Sequence, residues 1–299
     1  MQVLIIIDQH GWAFDFAARG IQKYSNHKIT IKRWNQISPL DINYDILFAM
    51  HVATGWNNIQ HNTRRLLEAK IPQICIGIRS PGHTGYIKDV MQQYPSRRIG
   101  DIRWACVSNE IYNDMKRVYP SAQIYLTQNG VDTEIFQPLV VNPNRFQIGW
   151  AGNSSRPEKR LEILTALAFP LKIQSKWGEK FFIPDRSRDE MVQFYKSIDC
   201  YVAASKSEGM PQTILEAGAS ALPIVSTPAG DIPYFLDKDW LVPLNPATQI
   251  ISEMNAKLKL LEKDIELRKA VGQRNLSETL KSWTWKDIVK QYDNMFEGK

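Results

Sequence analysis

Three cysteines in 299 residues are too few and too scattered to build a scaffold. Cys75, Cys106 and Cys200 stand singly inside the apolar runs QICIGI, WACVS and DCYVAA. Their spacing suits neither a zinc site nor a disulfide framework, so buried reduced thiols are expected. Long apolar runs are lacking too. Near the start the longest is Val3 to Ile7, too short for a membrane span or the core of a signal peptide. The sequence therefore predicts no transmembrane segment and a cytoplasmic protein. No Asp-x-Asp pair or His/Cys cluster is placed to hold a metal, so no metal or other cofactor is expected. The net charge of +6 is too small an excess to demand an anionic partner.

What is present is ordinary in amount and regular in arrangement. With 43% hydrophobic and 23% charged residues the chain has a globular composition, and its length suits two domains. Short apolar runs alternate with helix-like segments, the pattern of parallel sheets with crossover helices. Strands are predicted at Val3 to Asp8, Tyr44 to Met50, Ile71 to Ile78, Arg103 to Ser108 and Gln123 to Thr127. The aperiodic FQPLVVNPNRF, Phe136 to Phe146, reads as a linker. A second series follows at Phe146 to Gly152, Leu171 to Lys176, Ile198 to Ala204, Leu222 to Thr227 and Trp240 to Leu244. The predicted fold is α/β, with two Rossmann-like doubly wound domains facing across a cleft. The first spans residues 1–141 and the second 142–282, and a C-terminal helix at about 283–299 packs back on the first. In such folds ligands bind beyond the carboxyl ends of the strands.

One loop after a strand carries an unusual pair of acids. In SKSEGMPQTILEAG, Glu208 and Glu216 have seven residues between them, around a Gly-Met-Pro turn. Pro211 suits the first turn of a helix, whose N–H groups at Gln212, Thr213 and Ile214 would form an anion site fit for a phosphate. Gly209 lets the backbone approach a ligand closely. Glu216, on the helix, can reach the flank of that ligand and accept ribose hydroxyls, while Glu208 meets whatever hangs beyond the phosphates. A nucleotide diphosphate carrying a sugar fits this geometry. The plain alternative is a solvated turn residue and a surface helix residue.

The segment SEGMPQTILEAGASALPIVSTPAGDIP resembles the Glu-x7-Glu signature of the retaining GT-B glycosyltransferases of family 4. QNGVDTEIFQP, IGWAGNSSRPEKRLEIL, AGDIPYFL and WTWKDIVKQYDNMF resemble further segments of that family, from about Arg103 to Phe296. The first hundred residues resemble it only in strand order. The resemblance implies a nucleotide-sugar donor, with UDP the default, and transfer to a glycan, lipid-linked or other acceptor. It assigns Glu208 to the donor-sugar hydroxyls, above a turn of Gly209, Met210 and Pro211. Glu216 takes the ribose, the backbone at Thr213 and Ile214 the diphosphate, and Lys159 a phosphate. Family members carry Arg after the loop glycine. Here Asn153 follows Gly152, leaving Arg156 to supply the charge. The family is described as working by front-face attack without a metal, the leaving phosphate taking the acceptor proton, with cations and helix-end amides stabilising the departing diphosphate.

The first domain is expected to supply the acceptor side. At the place where the family commonly has a histidine this chain has Arg79, so Arg79, His83 and His51 are all candidates for the group beside the donor sugar. His10, Gly11 and Trp12 are candidates for the mouth of the same region. Two other readings compete. One is a catalytically silent nucleotide-sugar binding module, prompted by Asn153 and Arg79. The other is a glycosyltransferase acting on modified DNA bases, a nucleic-acid reading that rests only on the basic spots TRR and SRRIGDIR.

Overall fold

The computed structural model describes residues 1–11, 13–51, 70–81, 87, 91, 98–175 and 188–299. It divides into two units, Met1–Gly130 with Trp285–Lys299, and Val131–Thr284.

The first unit is built on six parallel strands, β1 (Gln2–Ile7), β2 (Lys28–Arg33), β3 (Ile46–Ala49), β4 (Gln73–Ile78), β5 (Ile102–Cys106) and β6 (Gln123–Leu126), in the order β2-β1-β3-β4-β5-β6. β1, β3 and β4 are almost wholly apolar because a parallel sheet is covered on both faces. Leu4, Ile6, Leu47, Ile74, Ile76 and Trp104 form the continuous core of one face. The last helix, Trp285–Glu297, belongs to this unit and is tied to it by polar contacts. Arg103 donates to the carbonyls of Met295 and Phe296 at 3.1 and 2.7 Å, closing the helix C-terminus. Asp293 accepts from the Ser25 hydroxyl and the Asn26 N–H.

The second unit holds four parallel strands, β7 (Ile148–Gly152), β8 (Leu171–Ser175), β9 (Cys200–Ala203) and β10 (Ile224–Ser226), in the order β10-β9-β7-β8. Counted within each unit, the first four strands follow the same 2-1-3-4 order. In the second unit the order therefore turns back between β7 and β9, and the crevice outside their carboxyl ends is the ligand position of a doubly wound sheet.

Four sequence expectations change. The strand β2 was not predicted, because KITIKR mixes charge with apolar residues, as an edge strand with one half-exposed face does. Trp240 to Leu244 is not a strand. Leu241 makes only an isolated bridge to Ser226. The division falls at Gly130/Val131 and not at 141/142, because residues 131–139 bond within the second unit. The Val131 N–H donates to Trp283 O at 2.9 Å and the Leu139 N–H to Ser220 O at 3.1 Å. The return to the first unit likewise falls at Thr284/Trp285 and not at 282/283.

No helix among the described residues is long and apolar enough to cross a membrane. The three thiols are free and buried. Burial pushes Cys75 and Cys106 up to about 12 and Cys200 higher still.

Candidate active site

After β7 the chain enters a compact turn. The Asn153 side-chain oxygen accepts from the Ser155 N–H and hydroxyl at 2.9 and 2.8 Å, an Asx turn that starts the loop. A 3-10 turn over Pro157–Lys159 follows, and Arg160 closes it in the left-handed conformation, φ 49° and ψ 49°. After β9 the chain runs through Ala204 and Ser205 to the Glu208-Gly209-Met210 turn and the helix Gln212–Ala219. β7 and β9 are neighbours, paired Ile148 with Cys200 and Gly149 with Tyr201, so the two loops emerge side by side. There the Lys159 ammonium donates to Glu208 Oε1, with both side chains largely buried at 16% and 12% exposure. Two residues 49 positions apart, predicted for one site, are brought together.

Pro211 stands at the N-cap, one place before the first helical residue, and as proline it offers no capping side chain. The Ile214 N–H is not the free donor that was expected. It donates to Pro211 O at 3.2 Å, consumed by the opening turn. The Gly209 carbonyl accepts from the Asp231 N–H at 2.8 Å, and Gly230 packs beneath it with φ 59°. A Cβ on Gly230 would stand 2.0 Å from Gly209 O, so only glycine fits that crossing. The side chain of Met210 is buried at 2% exposure.

Glu216 is not a surface residue. It is 5% exposed, Oε1 accepts from Arg188 NH1 at 2.6 Å, and Oε2 accepts from the Tyr195 hydroxyl at 2.9 Å. The same hydroxyl reaches Thr213 O at 3.1 Å, binding the carboxylate to the first turn of its own helix. Arg188 also lies over the Phe136 ring at 5.0 Å. Burial holds the Tyr195 phenol well above its ordinary range, and the Glu216 charge adds to this, so it stays a neutral donor. Tyr201 of β9 bonds to Ala151 O at 3.1 Å. Burial raises its phenol as well, and both Glu208 and Glu216 add to the shift, which puts the two acids in electrostatic reach of one group.

Arg156, like Lys159, is paired with a glutamate. Its guanidinium binds its neighbour Glu158, with Nε at 2.6 Å from Oε1. Gly152 ends β7, packed so that a Cβ would press on the Trp150 ring at 2.8 Å. Asp237 and Asp239 form an Asp-x-Asp pair that caps a turn: Asp237 accepts from the Asp239 N–H at 3.1 Å and pairs with Arg274. Among the described residues no three His, Cys, Asp or Glu side chains converge.

In the first unit, Arg79 is a structural tie and not a group held open for a sugar. Nε donates to Met50 O at 3.0 Å, and NH1 donates to Thr127 O and the Tyr292 hydroxyl at 3.2 and 3.1 Å. It thus joins the ends of β3 and β6 to the last helix. His51 is buried and stacks on Phe14, ring centroids 5.4 Å apart. His10 and Gly11 gather on Asp15, an acid the sequence reading passed over. His10 Nδ1 lies 3.3 Å from Oδ1, and the Gly11 N–H donates to Oδ2 at 2.8 Å. Trp12 and His83 lie outside the described residues.

Two parallel doubly wound units, the second with its polar loops beyond β7 and β9, define a protein of the GT-B fold. Solved structures agree across the chain. Sucrose-phosphate synthase from Thermosynechococcus elongatus aligns at a TM-score of 0.74 with 11% identity, over 99% of this chain and 98% of that one. The Anabaena protein HepE, solved with UDP-glucose, aligns at 0.71 with 12% identity over the whole of both chains. Residues 133–259, within the second unit, match the family model described as glycosyl transferases group 1. The sulfoquinovosyl transferase SQD2 of Arabidopsis thaliana is 34% identical over 112 residues, which span 36% of this chain and 21% of that protein.

Proposed function

We propose that the chain is a retaining glycosyltransferase that moves a sugar from a nucleotide diphosphate, UDP by default, to an acceptor hydroxyl without a metal. One observation carries the reading: Lys159 and Glu208 meet beyond β7 and β9, directly ahead of the helix start at Pro211. A cation and a helix N-terminus side by side suit a diphosphate, and an acid beside them suits sugar hydroxyls. UDP as the default nucleotide is supported by HepE, which was solved with UDP-glucose.

Without donor, Glu208 neutralises the ammonium. An arriving diphosphate competes for Lys159 and frees Glu208 to turn toward the sugar, so one exchange engages both halves of the donor. Glu216 is held for the ribose by Arg188 and Tyr195. In the transfer the bond from the anomeric carbon to the diphosphate oxygen breaks and the acceptor oxygen bonds on the same face. The acceptor proton passes to the leaving phosphate oxygen. Lys159 and the amides of the helix start stabilise the charge that develops on the leaving group, a contribution of about 10²- to 10³-fold for one well-placed donor.

The test is calorimetric titration with UDP- and GDP-sugars, followed by UDP release in the presence of EDTA. UDP-sugar should bind, and EDTA should leave turnover unchanged. Lys159→Ala and Glu208→Ala should each lower turnover by roughly 10²-fold. No binding of any nucleotide sugar, or variants that turn over as fast as the parent, would overturn the reading. Binding without turnover on any acceptor would favour a silent binding module.

A further inference from the structure

Arg160 is a non-glycine residue in the left-handed region, at φ 49°. A side chain there is strained, and such strain persists only where surrounding contacts enforce it. The contacts are on its own guanidinium. Nε donates to Ala204 O at 2.6 Å, NH1 to Leu244 O at 2.8 Å, and NH2 to Ser205 O at 3.4 Å. Three carbonyls from two separate stretches of chain, the exit of β9 and the segment after Val242, are gathered on one side chain.

The neighbours of Arg160 complete a seam. The Glu158 carbonyl accepts from the Lys206 N–H at 2.8 Å. Between them, Lys159 bonds Glu208. Consecutive residues 158, 159 and 160 are therefore each fastened to the 204–208 stretch. Ser205 O is shared with the Thr227 hydroxyl at 2.7 Å, which carries the fastening to the end of β10. The left-handed turn at Arg160 ends the 3-10 turn and begins the next helix, and so sets the direction in which Lys159 leaves the backbone.

We propose that Arg160 is a positioning residue for the diphosphate end of the donor site. Its guanidinium, seated on Ala204, Ser205 and Leu244, holds the left-handed turn that presents Lys159 to Glu208. The proposal rests on the donor reading above and adds to it a residue that touches no ligand. A planar fork with five N–H groups spread over three nitrogens reaches three carbonyls set around it, whereas the three donors of an ammonium all radiate from one nitrogen.

Two variants separate the guanidinium from the backbone. Arg160→Gly takes the left-handed conformation freely and lacks the fork, and Arg160→Lys keeps the charge and lacks the fork. Dissociation constants for UDP and for uridine are measured on the parent and both variants. UDP should bind about tenfold or more weakly to both variants, the loss expected when one charge-assisted hydrogen bond to a phosphate is no longer made. Uridine, which lacks phosphates, should bind unchanged. Adding Lys159→Ala to Arg160→Gly should cost UDP affinity little more than Lys159→Ala alone, because both changes remove one interaction.

An Arg160→Gly protein that binds UDP like the parent would overturn the proposal. So would equal losses for UDP and uridine, which mark general damage to the scaffold, or fully additive losses in the double variant. A parent that binds neither UDP nor any nucleotide sugar would overturn the donor reading and this proposal with it. A parent that binds while Arg160→Gly is unaffected overturns the positioning role alone.

Discussion

Glu216 shows how much of a side chain's role is decided by its surroundings. A carboxylate this buried is costly unless both oxygens are served, and here Arg188 serves one and Tyr195 the other. Tyr195→Phe removes the second donor without changing the shape of the core. It should cost about 1.5–3 kcal/mol in urea unfolding, the size of a lost hydrogen bond to a charged group. It should also weaken UDP binding, since the carboxylate proposed for the ribose loses the bond that orients it. An unchanged UDP affinity in a destabilised Tyr195→Phe protein would separate the structural bond from the binding role. The two tyrosines and Arg188 were not selected from sequence. A tyrosine in QFYK or CYVA has the pattern of core packing, and only the fold shows the Tyr195 hydroxyl aimed at Glu216 and the Tyr201 hydroxyl at Ala151 O.

At the scale of elements, the last helix and the first one are matched at a single glycine. The helix Ala13–Tyr24 carries Gly20, and a Cβ there would lie 2.3 Å from the Trp285 ring. Gly→Ala inside a helix ordinarily stabilises by about 1 kcal/mol. The contact with Trp285 is too short for a flexible adjustment, and overpacking costs about 1–3 kcal/mol. The second effect should win, so Gly20→Ala should lower the unfolding midpoint; a higher midpoint would show that the indole can move aside. Helix and strand identities were largely legible, because buried parallel strands are apolar on both faces. β2 was not, since its alternation of charge belongs to an edge. The 136–146 stretch looks like a linker by composition, yet Leu139 within it and Val131 before it are bonded into the second unit. Composition reports solvent exposure more directly than it reports which unit a segment joins.

For the whole molecule, the thiols report on each unit separately. Cys75 and Cys106 lie in the first unit and Cys200 in the second. Burial raises all three, so the folded protein carries essentially no thiolate near neutral pH. Their raised values favour the neutral form in the fold. Stability is therefore insensitive to them below the ordinary thiol value of 9.0 and falls as pH rises from there toward about 12. At pH 8 a disulfide reagent should react only through opening of the unit concerned. If UDP binds the second unit as proposed, it should slow the labelling of Cys200 while Cys75 and Cys106 label at their former rates. Equal protection of all three, or none of Cys200, would contradict a donor site built on the second unit.

The sequence by itself determined the local pieces of this protein. It set the parallel strands, the helix that begins after Pro211, the two acids with seven residues between them, and Lys159 in the loop after β7, since each depends on residues close along the chain. Which groups meet was decided only by tertiary structure. Lys159 and Glu208 pair because β7 and β9 lie side by side at the point where the strand order turns back. Arg79 became a tie because its guanidinium reaches Met50, Thr127 and Tyr292. A charged side chain several bonds long can reach partners far away in sequence, and the packing of the elements selects the one it finds.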